Sequence, residues 1–172
     1  MKQFISFFAI AAVSLFAFTS CAQDKSSRPS PPAKATATST KGVTISIDYS
    51  KPSVKGRTIG KEIAPFGEVW RTGANEATVF EINKDVTIAG KKLVAGKYGL
   101  YTIPGEKEWT IILNRKSDLW GSDGYTQADD ALRFVTKPVK SKAFTEKMTF
   151  EINESGLVSL IWGDVQVDFK VE

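Results

Sequence analysis

The sequence predicts an all-β fold, an antiparallel β-sandwich of jelly-roll type with about eight or nine short strands and at most one short helix. Three observations point to it. Apolar and polar residues alternate with a period of two in several segments. Clusters of Gly, Pro, Asn and Asp separate those segments every ~8–12 residues. Only residues 126–134 offer a helix, and there Arg133 to Val135 can equally begin a strand.

In chain order, residues 1–20 precede this fold and read as a signal peptide. Lys2 supplies a positive start, and the apolar run from Phe4 to Phe18 is broken only by Ser6 and Ser14. That run is short for a spanning helix of about 20 residues, and small residues follow it, as in secretory signals. Two cleavage readings stand. Ser20 and Ala22 suit ordinary signal peptidase, with cleavage after Ala22. Alternatively Phe18-Thr19-Ser20-Cys21 resembles a bacterial lipobox, departing from it at Phe18 where Leu is usual, and Cys21 becomes the lipidated first residue. An unpaired cysteine in an exported protein is otherwise a reactive liability, which favours lipidation. The expected localisation is the periplasm or, as a lipoprotein, the outer membrane.

Residues 21–41 read as a flexible Ser/Thr/Pro/Ala tether, because no large apolar side chain lies between Ala22 and Thr40. Lys25, Arg28 and Lys34 outnumber Asp24 there. With Lys2 they account for three of the formal net charge of +4, leaving +1 for the folded part. A basic stripe for nucleic acid is therefore not expected. Contact with a membrane is expected through the lipid on Cys21 if that residue is modified, with at most a weak attraction of the tether's positive charge to the lipid surface.

Residues 42–172 form the sandwich domain. Val43, Ile45, Ile47 and Tyr49 share one face of a first strand. Residues 78–82 and 86–88 flank the Asn83-Lys84-Asp85 turn, and Gly90 opens a reversal toward Leu93. Pro104-Gly105 suits a type II turn, with Gly105 at the positive φ. Residues 109–113 and 157–162 are apolar on both faces, as in central, doubly covered strands. Phe144, Met148, Phe150 and Ile152 share a face, and so do Val165, Val167, Phe169 and Val171. Asn153-Glu154-Ser155-Gly156 makes a hairpin turn, and Gly163-Asp164 reads as a second, tight one.

Composition removes whole reaction classes. The 172 residues include no histidine and one cysteine, so no imidazole base, histidine metal ligand, internal disulfide or multi-thiolate zinc site can form. No phosphate loop or dinucleotide fingerprint occurs, and neither a cofactor nor a metal is expected. Asp118 and Asp123 beside Gly124 only faintly suggest a calcium loop, lacking its alternating acids and terminal Glu.

One stretch departs from sandwich filler: Ala-Pro-Phe-Gly-Glu-Val-Trp-Arg-Thr-Gly-Ala-Asn-Glu-Ala-Thr, residues 64–78. As a pocket, Arg71 presents a planar fork to a carboxylate or phosphate, Asn75 a donor and an acceptor, Glu76 an acceptor pair, and Trp70 a flat face for a sugar or aliphatic group. As an internal latch, Arg71 and Glu76 pair with each other or with buried carbonyls, and Trp70 is core. Trp120, in the second polar loop at residues 115–125, is either an exposed stacking residue or folds back to close the sandwich end. Tyr98 and Tyr101 must face opposite sides of their strand.

The segments Gly-Glu-Val-Trp-Arg-Thr-Gly-Ala-Asn-Glu-Ala-Thr, Leu-Val-Ala-Gly-Lys-Tyr-Gly-Leu-Tyr-Thr-Ile-Pro-Gly, Trp-Thr-Ile-Ile-Leu-Asn and Leu-Ile-Trp-Gly-Asp-Val-Gln-Val carry a resemblance over most of residues 43–172. They resemble the domain-of-unknown-function family numbered twenty-nine eleven, found in exported bacterial proteins and lipoproteins. The resemblance implies this fold and export, and no mechanism. The expected function is that of a non-catalytic, lipid-anchored envelope protein binding a small molecule, a glycan or an envelope protein through Trp70, Arg71, Asn75, Glu76 and Trp120. Two alternatives stand beside it. One is a histidine-free hydrolase of polysaccharides using carboxylates such as Glu68 with Glu76, or Asp118 with Asp123. The other is a structural subunit of an envelope complex.

Overall fold

The computed structural model describes residues 24–172, so the expected signal peptide, its cleavage point and Cys21 lie outside the described residues. Ten strands follow a single 3-10 turn at Lys25–Ser27: β1 (Pro32–Thr38), β2 (Thr44–Ser50), β3 (Thr78–Ile82), β4 (Val86–Ile88), β5 (Lys91–Leu93), β6 (Gly96–Ile103), β7 (Trp109–Asn114), β8 (Asp130–Thr136), β9 (Val139–Ile152) and β10 (Leu157–Lys170). One layer is a six-stranded antiparallel sheet in the order β1-β2-β3-β6-β7-β8. The other is built on the long β9–β10 ribbon. Residues 52–54 extend it at one side through the Ser53–Lys147 bridge, and the β4–β5 hairpin at the other through Ile88 and Val171. The all-β sandwich is therefore the observed architecture.

The core lies between these layers. Alternation in β2 sends Val43, Ile45, Ile47 and Tyr49 inward, where they meet Phe80 and Leu100 from the same sheet and Met148, Phe150, Leu160 and Phe169 from the ribbon. Side chains as fully buried as Ile45, Ile47 and Phe80 each contribute ~1.5–3 kcal/mol over exposure. Tyr49 packs edge-on against Phe150 at 5.0 Å, and its phenol oxygen accepts the Phe150 amide. Tyr98 and Tyr101 face opposite sides of β6: Tyr98 joins this core, and Tyr101 a second, smaller cluster with Ala77 and Ile112.

Several expectations are corrected. Residues 32–38, read as tether, form edge strand β1, paired to β2 from Pro32–Ser50 to Thr38–Thr44. Small Ala and Thr side chains have little to bury, but an edge strand needs only backbone pairing plus contacts such as the Lys34–Asp48 ion pair at 3.0 Å. Gly163-Asp164 is not a hairpin. β10 runs through it, with Gly163 at φ 60° inside the strand. The ladder passes from Thr145–Gly163 to Lys140–Val165, so Ser141 to Phe144 bulge out against Asp164. That bulge also turns Phe144 out to 64% exposure instead of inward with Met148. Residues 157–162 lie in this two-stranded ribbon, not in a doubly covered central strand. Gly105 lacks the positive φ of a type II turn. Its missing side chain matters for space instead, since a Cβ there would sit 2.5 Å from the Glu108 carbonyl oxygen. At 126–134, where the sequence leaves helix and strand both open, the strand reading holds: one 3-10 turn at Gln127–Asp129 runs directly into β8.

Candidate functional site

The two polar loops singled out in the sequence meet at the same end of the six-stranded sheet. Past Thr78, where β3 begins, Trp70 takes the place beside β6, exchanging backbone bonds of 2.8 and 2.9 Å with Thr102. At the other end of the 64–78 loop, Glu76 bridges to Trp120, and the Ala77 amide donates to the Leu119 carbonyl at 3.0 Å. Buried Asn114 holds the start of the 115–125 loop: its Nδ2 donates to the Thr126 carbonyl and to Asp130, and its Oδ1 accepts the Lys116 amide.

Alternation along this segment sends neighbouring side chains to opposite faces. Trp70 points into the core, stacked on Trp162 at 5.3 Å and edge-on to Trp109 at 6.3 Å, with Nε1 donating to the Gly73 carbonyl. The flat face expected to receive a sugar is occupied by Trp162. Arg71, next in sequence, leaves the core side and packs under the 115–125 loop against Gly121. The Gly121 backbone lies close against the guanidinium, a Cβ there standing 2.7 Å from an Arg71 terminal nitrogen, and its φ of 66° is one that glycine adopts without strain. The Arg71 Nε is buried without a partner, and the guanidinium takes part in none of the ion pairs among the described residues. The Tyr101 hydroxyl, in the smaller cluster on the outer face, is likewise buried and unpartnered. Burial pushes the Tyr101 phenol up to about 12, with Asp118 and Tyr125 adding to the effect.

Asn75 and Glu76 are engaged by the chain's own N-terminal segment. Glu76 takes Lys25 at 3.0 Å and Arg28 at 3.0 and 3.1 Å, while Asn75 Nδ2 donates to the Ser30 carbonyl at 3.0 Å. The Lys25 hydrogen bond comes first in holding the Glu76 carboxyl down to about 2, followed by its own backbone amide and by Arg28. The latch reading has Arg71 and Glu76 pairing with each other or with buried carbonyls; among the described residues Glu76 pairs with Lys25 and Arg28. The latch grips residues 25–30 instead. Glu76 also lines a shallow groove of about 200 Å³ with Lys25, Asp48 and Tyr49.

The loop backbone is under strain. Ala64, Thr72 and Asn75 all have positive φ, at 48°, 52° and 60°. For a β-branched residue such as Thr72 this is an outlier that surrounding bonds must hold. Its hydroxyl donates within hydrogen-bond range of Trp70 O and Thr102 Oγ1, and its carbonyl accepts the Thr78 hydroxyl. The strained Thr72 sits immediately after Arg71.

Trp120 is 59% exposed at the rim of this corner, so it does not fold back to close the sandwich end. Arg71 and Trp120 are brought together through Gly121, Asn75 and Glu76 belong to the adjoining latch, and Trp70 lies on the opposite face. Asp118 and Asp123 are exposed, and among the described residues no group of three or more acidic or thiol side chains is arranged to hold a metal ion. Sequence reasoning missed Lys25, Arg28 and Asn114. The two cations carried no signal, being charges in a Ser/Pro-rich stretch. Asn114 had one, a polar residue ending an otherwise apolar strand.

A family model described as "Protein of unknown function (DUF2911)" matches residues 30–171. No curated protein and no solved structure matches the chain.

Proposed function

The chain belongs to this family, DUF2911, whose description names no activity, and we propose that the protein is a non-catalytic, lipid-anchored envelope protein binding an anionic ligand through Arg71 and Trp120. The observation that carries the reading is the guanidinium of Arg71, part-buried, with Nε lacking an acceptor and the Gly121 backbone close against it. Leaving such a donor unpaired costs ~1–3 kcal/mol, more for a charged group, which an incoming carboxylate or phosphate oxygen recovers. Trp120 adds an exposed flat face at the rim for a sugar ring or an acyl or alkyl group.

The carboxylate hydrolase is less well supported. Glu76 is held ionised by Lys25 and Arg28 and so has no proton to donate near neutral pH. Export and acylation rest on the apolar run before Cys21. Labelling with an acyl-chain analogue in a bacterial host tests them, with loss of label expected in Cys21→Ser. A screen of phosphorylated and carboxylated glycans, peptidoglycan fragments and metabolites tests the site. The affinity of any ligand found is expected to fall at least about tenfold in Arg71→Ala, the loss of one charge-assisted bond. Ligands bound equally well by Arg71→Ala and Trp120→Ala variants would rule the site out.

A further inference from the structure

The corner that holds Arg71 and Trp120 is also where the chain arrives from its N-terminus. Lys25 and Arg28 are fixed on Glu76, the Ser30 carbonyl on Asn75, and the Pro31 carbonyl on the Lys51 amide at 2.9 Å before β1 begins. Glu76 in turn bridges to Trp120. Three residue steps separate Asp24 from Cys21, a span of at most about 11 Å. A flexible tether of some twenty residues would average ~25 Å and reach well beyond 60 Å when extended. An acyl group on Cys21 therefore holds this particular corner at the bilayer surface.

We propose that the corner docks on the bilayer itself, with Trp120 among the lipid headgroups and Arg71 taking a phosphate oxygen of a phospholipid. The proposal rests on the lipid-anchor and Arg71-site readings above and adds the class of ligand. The chemistry fits. Tryptophan favours the interface between headgroups and acyl chains, where its ring is apolar and its N–H stays wet. A guanidinium with an unpaired Nε–H matches a phosphate oxygen better than a compact ammonium would. Lys25 and Arg28 bring further positive charge to the same corner, though both are committed to Glu76.

The test uses the acylated mature protein in vesicles of phosphatidylethanolamine and phosphatidylglycerol carrying brominated acyl chains, read by tryptophan fluorescence. Trp70, Trp109 and Trp162 form the core cluster, so bromine quenching reports on Trp120. The expected result is strong quenching, at least about halved in Trp120→Phe, since one exposed ring carries the contact. Glu76→Gln and Arg28→Ala, which release the strap, each reduce it while the protein still floats with the vesicles. Replacing the phospholipids by a phosphate-free glycolipid lowers quenching in the wild type but not in Arg71→Ala. Quenching no stronger than in Trp120→Phe, from a protein shown by mass spectrometry to be acylated, overturns the docking alone. An unacylated mature chain overturns the anchor and the docking together. Equal quenching on both lipids in the wild type removes the phosphate role of Arg71.

Discussion

Trp70 and Trp120 look equivalent in the sequence, each an indole in a polar, glycine-containing loop, yet they do opposite work. Replacing Trp70 by Ala removes a ring packed against Trp109 and Trp162 and is expected to cost ~3–5 kcal/mol in chemical denaturation, whereas Trp120→Ala stays within about 0.5 kcal/mol. The sequence singled out these loop residues but could not divide them between core and surface. Which neighbour points inward depends on pairing between Trp70 and Thr102, thirty-odd positions apart, and local pattern carries no trace of that. The same holds for Glu76, whose partners come from a stretch with no apolar signal. Its carboxyl titrates lower in the folded chain than its ordinary value of 4.5. The stabilisation is thus complete above that value and is lost as pH falls from there toward 2. Amide exchange at residues 25–30 is expected to accelerate across that acid window, and Glu76→Gln to speed tryptic cleavage after Lys25 at neutral pH. Unchanged cleavage in that variant would mean that the strap is held by something other than Glu76.

At the scale of elements, the strands with strong apolar alternation were legible, and those held by backbone pairing were not. β2 could be read from Val43, Ile45, Ile47 and Tyr49; β1, made of Pro, Ala, Lys and Thr, could not, because an edge strand is specified by the partner it covers. Removing residues 24–41, as the reading of a tether would permit, is expected to expose the β2 edge and cause aggregation on refolding, measured by light scattering. β10 misled in the other direction, because a glycine inside a strand gives the same signal as a glycine in a turn. The hairpin turn at Gly156 is a firmer case. Its φ is 83°, and an added Cβ would fall 2.3 Å from the Val171 carbonyl. Gly156→Ala is expected to lower stability by ~1–3 kcal/mol through strain and displacement of the C-terminal strand.

For the whole molecule, the two layers, their core and the polar corner form one arrangement. The six-stranded sheet turns Trp70 into the core and Arg71 out of it, the 115–125 loop covers the guanidinium with Gly121, and the N-terminal strap ties the same corner to the start of the chain. The proposal of binding rests on that convergence, with the absence of histidine as the boundary condition. The most direct measurement is NMR of the Arg71 Nε–H group during titration with a soluble short-chain phospholipid and with inorganic phosphate. A saturable downfield shift of that resonance, assigned by its disappearance in Arg71→Lys, is the predicted result. A resonance that stays fixed at millimolar ligand, or moves no more than that of exposed Arg57, would contradict the assignment of this corner as the binding site.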